Sequence, residues 1–98
     1  MTQVETGSAL VFAHYPDKYM WTGSGDRAVT VYVKFAHPKD GVPKVSAALG
    51  AIDAGNGHNM RVALAVQDID ERGFNLVAST WGDTQLAQVN GNWIAIWP

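Results

Sequence analysis

Three segments place side chains of the right type to hold a small polar molecule. Thr80-Trp81-Gly82-Asp83-Thr84 sets an indole at the end of an apolar run, next to a Gly-Asp turn. An indole face stacks well on the weakly positive C–H face of a sugar-like ring. The same five residues also suit a packed Trp with Asp83 and Thr84 capping the turn. Gly23-Ser24-Gly25-Asp26 is a flexible loop with one carboxylate. Its glycines let backbone approach a ligand, and its carboxylate accepts hydrogen bonds from hydroxyls; it equally suits an ordinary turn. Arg61 stands beside a run of valines and alanines and needs a partner there. That partner is an internal carboxylate or the hydroxyls of a ligand, to which a guanidinium offers a planar donor fork; the sequence leaves both open.

Catalytic and metal chemistry find little support. The chain has nine acidic residues, but no pair sits at a recognisable catalytic spacing. Asp68, Asp70 and Glu71 cluster before Gly73 and offer oxygen ligands of the kind calcium takes. The simpler reading is a solvated hairpin turn. The serines lack a nucleophile-elbow spacing. His14, His37 and His58 are isolated in the sequence and read as surface loop histidines. With no cysteine, disulfides and thiolate zinc sites are impossible. Neither an enzyme nor a resident cofactor or metal is expected.

The remaining composition narrows the class. At 98 residues the chain makes one domain, 1–98, and a chain this small buries only about 60–65% of its unfolded surface. Hydrophobic residues reach 47% and charged ones only 16%, so core material is ample and disorder is excluded. A net charge of −2 with seven Lys and Arg argues against nucleic acid, which needs a clustered basic face. No apolar run approaches the length of a membrane span, so no membrane insertion is expected. A leader peptide is not visible either.

The elements that must position these residues have a period of two. Val29, Val31, Val33 and Phe35 alternate with Thr30, Tyr32 and Lys34. Similar runs cover Val45–Leu49, Met60–Gln67, Phe74–Ser79 and Trp93–Trp97. Arg61 then falls on the polar face of a strand. Turn signals separate the runs at Gly23–Asp26, Pro38–Gly41, Gly55–Gly57, Glu71–Gly73 and Asn90–Asn92. We expect an all-β sandwich of six strands, with room for an additional short strand near Ala9–His14; no stretch offers a helix-length amphipathic pattern. Trp93, Ile94, Ile96 and Trp97 make the last strand apolar on both faces, which suits a central strand or an intersubunit face.

The order of short motifs adds a resemblance. Val4-Glu5-Thr6-Gly7, Trp21, Gly25-Asp26-Arg27, Phe35-Ala36-His37-Pro38 and Pro43-Lys44-Val45 come first. Ile52-Asp53, Asn59-Met60-Arg61-Val62, Gly73-Phe74, Trp81-Gly82-Asp83-Thr84 and Trp93-Ile94-Ala95-Ile96 follow. In this order the chain resembles the H-type lectin domain, the family of snail agglutinins and of the C-terminal domain of discoidins. The resemblance covers essentially the whole chain. It implies a six-stranded antiparallel β-sandwich that assembles as a homotrimer; the sequence leaves trimer against hexamer open. It also implies shallow sites for galactose or N-acetylgalactosamine-type glycans at the clefts between protomers, with no catalysis and no metal in the sugar site.

Carried over residue by residue, the resemblance gives Arg61 the role of donor to sugar hydroxyls and Trp81 that of apolar contact. Asp26 becomes the carboxylate acceptor, with Gly25, Gly82 and Asp83 beside them. Two family contacts are missing. Gly82 stands where the snail lectin often has a histidine, and Ala87 where the family has an aromatic residue. Those departures motivate a rival reading, a structural or adhesion trimerisation module of a fibre or phage-like assembly without sugar binding. A lectin for foreign glycans would work outside the cell or at its surface.

Overall fold

The computed structural model describes residues 3–13 and 19–98. Its strands are β1 (Gln3–Phe12), β2 (Arg27–Lys34), β3 (Lys44–Ala54), β4 (Ala63–Gln67), β5 (Gly73–Thr80) and β6 (Leu86–Trp97). One turn of helix, α1 (Tyr19–Thr22), precedes β2. The strands form two antiparallel three-stranded sheets, ordered β1-β6-β3 and β2-β5-β4. The five alternating runs correspond to β2 to β6, and β1 is the sixth strand. It takes in Ala9–Phe12, where the sequence left room for an additional strand; His14 lies outside the described residues.

The pleat decides which side chains meet. Phe74, Leu76 and Ala78 of β5 are fully buried, as are Val89 and Ala95 of β6. At the centre Phe35 packs edge-on to Trp97 at 5.0 Å, and Phe74 edge-on to Trp93 at 5.4 Å. Such pairs are worth about 0.5–1.5 kcal/mol each beyond their buried area. Trp97 donates its indole N–H to the Gly41 carbonyl at 3.3 Å. Trp93 and Trp97 therefore belong to the core. Ile94 and Ile96 point out of the same central strand, Ile96 remaining 39% exposed.

Two expectations about strand limits need correction. Asn90-Gly91-Asn92 is not a turn but the middle of β6, where Gly91 pairs with Ala9 on one side and Leu49 on the other. The glycine is there for close approach. A Cβ at Gly91 would lie 2.9 Å from a Leu76 methyl and 3.1 Å from a Leu64 methyl of the opposite sheet. The strand predicted to begin at Met60 begins instead at Ala63, and Met60 is 60% exposed. Arg61 thus belongs to the β3–β4 loop rather than to a strand face.

The acidic cluster near Gly73 is a hairpin turn. One Asp70 carboxylate oxygen accepts hydrogen bonds from the backbone N–H groups of Arg72 (2.8 Å) and Gly73 (3.0 Å). Asp68 takes a positive φ of 54° and accepts a hydrogen bond from the Asn75 amide at 3.0 Å. At the same end of the sandwich, Glu5 accepts hydrogen bonds from the N–H groups of Ala36 (2.7 Å) and His37 (2.9 Å), which ties β1 to the β2–β3 loop.

The opposite end gathers three connections. Arg27 pairs with Thr80, Ala63 with Ser79, and Ala54 with Leu86. That register brings together the segment entering β2, the β3–β4 loop and the β5–β6 turn.

Candidate functional site

The site is built around the β5–β6 turn, Trp81–Gln85. Gly82 adopts φ = 69°, a left-handed conformation that side chains resist, and a Cβ there would lie 2.9 Å from Arg61 Nη1. Only glycine lets the guanidinium lie against this turn. Arg61 Nη1 donates to Asp83 Oδ1 at 2.9 Å and to Thr84 Oγ1 at 3.1 Å. Thr84, buried to 1% exposure, passes its own hydroxyl proton to the Asn59 carbonyl at 2.6 Å. Thr80 Oγ1 donates to the Arg61 carbonyl at 2.5 Å. Arg61 is therefore held at both its backbone and its side chain.

The other Asp83 oxygen lies 3.0 Å from His58 Nδ1. The Arg61 hydrogen bond holds the Asp83 carboxyl below its usual value; desolvation opposes this, and His58 adds to the lowering. With side-chain exposures of 28% for Arg61 and 64% for Asp83, solvent screens the pair and it adds little to folding. Its product is geometry. Among the described residues, Arg61 Nε and Nη2 make no hydrogen bond, so most of the donor fork stays available.

On the other flank of the turn sits Arg27, only 4% exposed. Its Nε donates to the Gly25 carbonyl (3.1 Å) and its Nη1 to that of Met20 (3.0 Å). Its Nη2 donates to the carbonyls of Gly82 (3.1 Å) and Thr84 (2.9 Å). The Gly25 N–H also donates to the Gly82 carbonyl at 3.0 Å. The loop before β2 is thereby joined to the β5–β6 turn.

Two hollows flank this end. One, of about 300 Å³, is lined by Asp26, Arg27, Ala28, Ser79, Thr80 and Trp81. The other, of about 370 Å³, is lined by Asn56, Gly57, His58, Asn59, Arg61 and Asp83. The six residues singled out from sequence are thus placed unevenly. Arg61, Gly82 and Asp83 are in direct contact, and Gly25 bonds to Gly82. Asp26 and Trp81 share the first hollow, with Trp81 44% exposed. Ala87 is buried in β6 and lines neither hollow.

Both partners offered for Arg61 remain in play, since it has an internal carboxylate and spare donors. His58 is not isolated, as its place in the sequence suggested, but reaches Asp83 across 25 residues of chain. No short-range pattern announces such a contact. Arg27 does carry a signal, because it stands in phase with the inward-pointing Val29, Val31 and Val33 of β2. Among the described residues no group of three His, Cys, Asp or Glu is placed to hold a metal ion.

The loops at one end of this small antiparallel sandwich thus carry Trp81 and Asp83 exposed and Arg61 half-buried with spare donors, an arrangement suited to binding. The chain belongs to the H-type lectin domain family, whose model matches residues 30–96. Arg61, Trp81, Gly82 and Asp83 lie inside that match; Gly25 and Asp26 precede it. The chain is 36% identical over 94 residues to the "ATP synthase subunits region ORF 7" protein of Fuscovulum blasticum, covering 95% of this chain and 82% of that protein. It is 33% identical over 75 residues to a discoidin-1 polypeptide of Dictyostelium discoideum, covering 76% of this chain and 30% of that one. A structure of recombinant discoidin II from the same organism superposes with a TM-score of 0.85 at 26% identity, over 97% of this chain and 36% of that one. The chain therefore spans about a third of the discoidins it matches. Carbohydrate binding, not catalysis, is the role these relationships support.

Proposed function

We propose that this chain binds galactose or N-acetylgalactosamine-type glycans, and does so as a homotrimer. The observation that carries the reading is the state of Arg61. One nitrogen is fixed on Asp83 and Thr84, while Nε and Nη2 keep donors for hydroxyls; Trp81, exposed, stands on the same β5–β6 turn and lines the neighbouring hollow. Trp81 supplies the apolar face and Asp26 the acceptor, with Gly25, Gly82 and Asp83 shaping the ledge between them. Such a shallow site binds weakly; a millimolar constant is about −4 kcal/mol.

Assembly offsets that weakness. Val4 pairs with Ile96, and Thr6 with Ile94, so these residues share the outward face of the β1-β6-β3 sheet. Val4 is 50% exposed and Ile96 39%. Packing three copies on this face covers it and brings the loops of one protomer toward the next. Three sites on one rigid trimer raise avidity by about 10²–10⁴ on clustered glycans. A site serving that purpose works at a cell surface or outside the cell.

A glycan array with light scattering on the same sample tests the reading. Wild-type protein should be trimeric and bind galactose-type glycans, and Arg61→Ala should not bind. The rival, a trimerisation module without a sugar site, is favoured by Gly82 and by the burial of Ala87, which removes two family contacts. It predicts a trimer that binds nothing across a broad array.

A further inference from the structure

We infer that Arg27 is a positioning residue for the sugar site: its buried guanidinium fixes the Gly23–Asp26 loop against the Trp81–Asp83 turn, and so sets the width of the hollow that Asp26 and Trp81 line. Its value for binding rests on the carbohydrate reading above; its role in joining loop to turn does not. Burying an ionised side chain is costly unless it is paired or hydrogen-bonded. Arg27 offsets that cost by donating four of its five N–H groups to carbonyls, those of Gly25, Met20, Gly82 and Thr84. They come from three separate segments: α1, the loop before β2 and the β5–β6 turn. Among the described residues no carboxylate pairs with Arg27, so holding an acid in place is not its task.

A methionine or leucine would fill the same space at far lower desolvation cost. What an apolar side chain cannot do is hold carbonyls of three segments in one plane. The rigid fork of a guanidinium can, whereas a lysine presents its donors from a single point. The Gly82 carbonyl is the shared node. It accepts from Arg27 Nη2 and from the Gly25 N–H, while Arg61 Nη1 packs against the α-carbon side of the same glycine. Displacing Arg27 would therefore disturb the Asp26 side and the Arg61 side of the site together.

The test measures Gly25 amide exchange by NMR together with calorimetric titration by galactose and by N-acetylgalactosamine. Wild-type protein, Arg27→Lys and a core variant matched to it in melting temperature, such as Leu76→Val, are compared. In the wild type the Gly25 amide should be protected as strongly as amides within β5. In Arg27→Lys it should exchange at least tenfold faster, and sugar affinity should fall at least tenfold, at a temperature where the protein is fully folded. Leu76→Val should move neither. An unprotected Gly25 amide in the wild type overturns the proposal whether or not the variant folds. So does an Arg27→Lys protein that binds sugar like the wild type. If Gly25 exchange accelerates as expected while the wild type binds neither sugar, the link between loop and turn stands and the carbohydrate reading falls.

Discussion

Arg61 and Asp83 meet through a single nitrogen, Nη1 to Oδ1 at 2.9 Å, although a guanidinium and a carboxylate can pair through two parallel bonds. The second hydrogen bond from Nη1 goes to the Thr84 hydroxyl instead, and the second Asp83 oxygen goes to His58. The arrangement orients Arg61 without consuming its fork, as a ligand-binding arginine requires.

Arg61→Ala should therefore separate binding from folding. On the proposed reading the variant loses two or more hydrogen bonds to sugar hydroxyls, each worth about 1.5–3 kcal/mol when a charged group is involved. Affinity should fall at least tenfold, to beyond detection for a site that starts near millimolar. Chemical denaturation should show only a small stability loss, because Asp83 is exposed and the pair is screened. Arg61→Lys should keep the charge yet recover little affinity, since a point charge cannot form the fork. Binding unchanged in both variants would remove Arg61 from the site.

Trp81 is the tryptophan to mutate for a spectroscopic answer. It is 44% exposed, whereas Trp93 and Trp97 are 7% and 1% exposed in the core. Ligand stacking should alter the emission of Trp81 and shield it from a soluble quencher. Trp81→Ala should abolish that sugar-dependent signal and weaken binding, and Trp81→Phe should retain part of the affinity. Both variants should melt close to the wild type, because little core packing is lost. A sugar-induced emission change that survives Trp81→Phe would place the ligand elsewhere.

The Asp83–Arg61 contact should persist into acid. The folded-state pKa of the Asp83 carboxyl lies below the ordinary carboxylate value, chiefly through the Arg61 hydrogen bond. A depressed carboxylate contributes where pH exceeds its unfolded value, about 3.9, and that contribution is lost as pH falls through the lower folded value. The Asp83–Arg61 contact should thus be intact from neutral pH down through the normal carboxylate range and fail only below it. Carboxyl chemical shifts followed by NMR titration should show Asp83 protonating later than a free aspartate. In Arg61→Ala that titration should move back up. A midpoint at or above the ordinary value in the wild type would contradict the geometry.

Much of this fold is legible in the chain, and the exceptions have physical causes. The alternation of Val29, Val31 and Val33, and of Phe74, Leu76 and Ala78, locates β2 and β5 because one face of each strand meets the core. Asn90-Gly91-Asn92 misleads because its composition is that of a turn. The glycine answers instead to Leu64 and Leu76 pressing from the opposite sheet, a contact that no local window contains. Arg61 stands out by residue type but reads as a strand residue, because Met60 and Val62 continue the alternation of β4 after hydrogen bonding has ceased. His58 gives no signal for a related reason: its partner, Asp83, is brought near only when the β3–β4 loop folds back on the β5–β6 turn. Arg27 is visible in phase with the inward-pointing valines, yet a cation at an inward position reads as an error until its four carbonyls are seen.

The outward face of β6 supplies the last prediction. Ile96 is 39% exposed beside Val4, which is 50% exposed, in a chain of 98 residues with no cysteine. A domain of this size has little core to spare, so burying that face between copies would add materially to its stability. Assembly then couples folding to concentration, and the melting temperature should fall on dilution. Ile96→Asp places a charge on the face without touching Trp97 or Ala95, which point inward. It should yield a folded monomer by light scattering, with lower thermal stability. Its affinity for a monovalent sugar should change less than its binding to a densely glycosylated surface, where the avidity of about 10²–10⁴ is lost. A concentration-independent melt, together with a monomeric wild type, would leave Ile96 and Val4 without this role and the site without its multivalency.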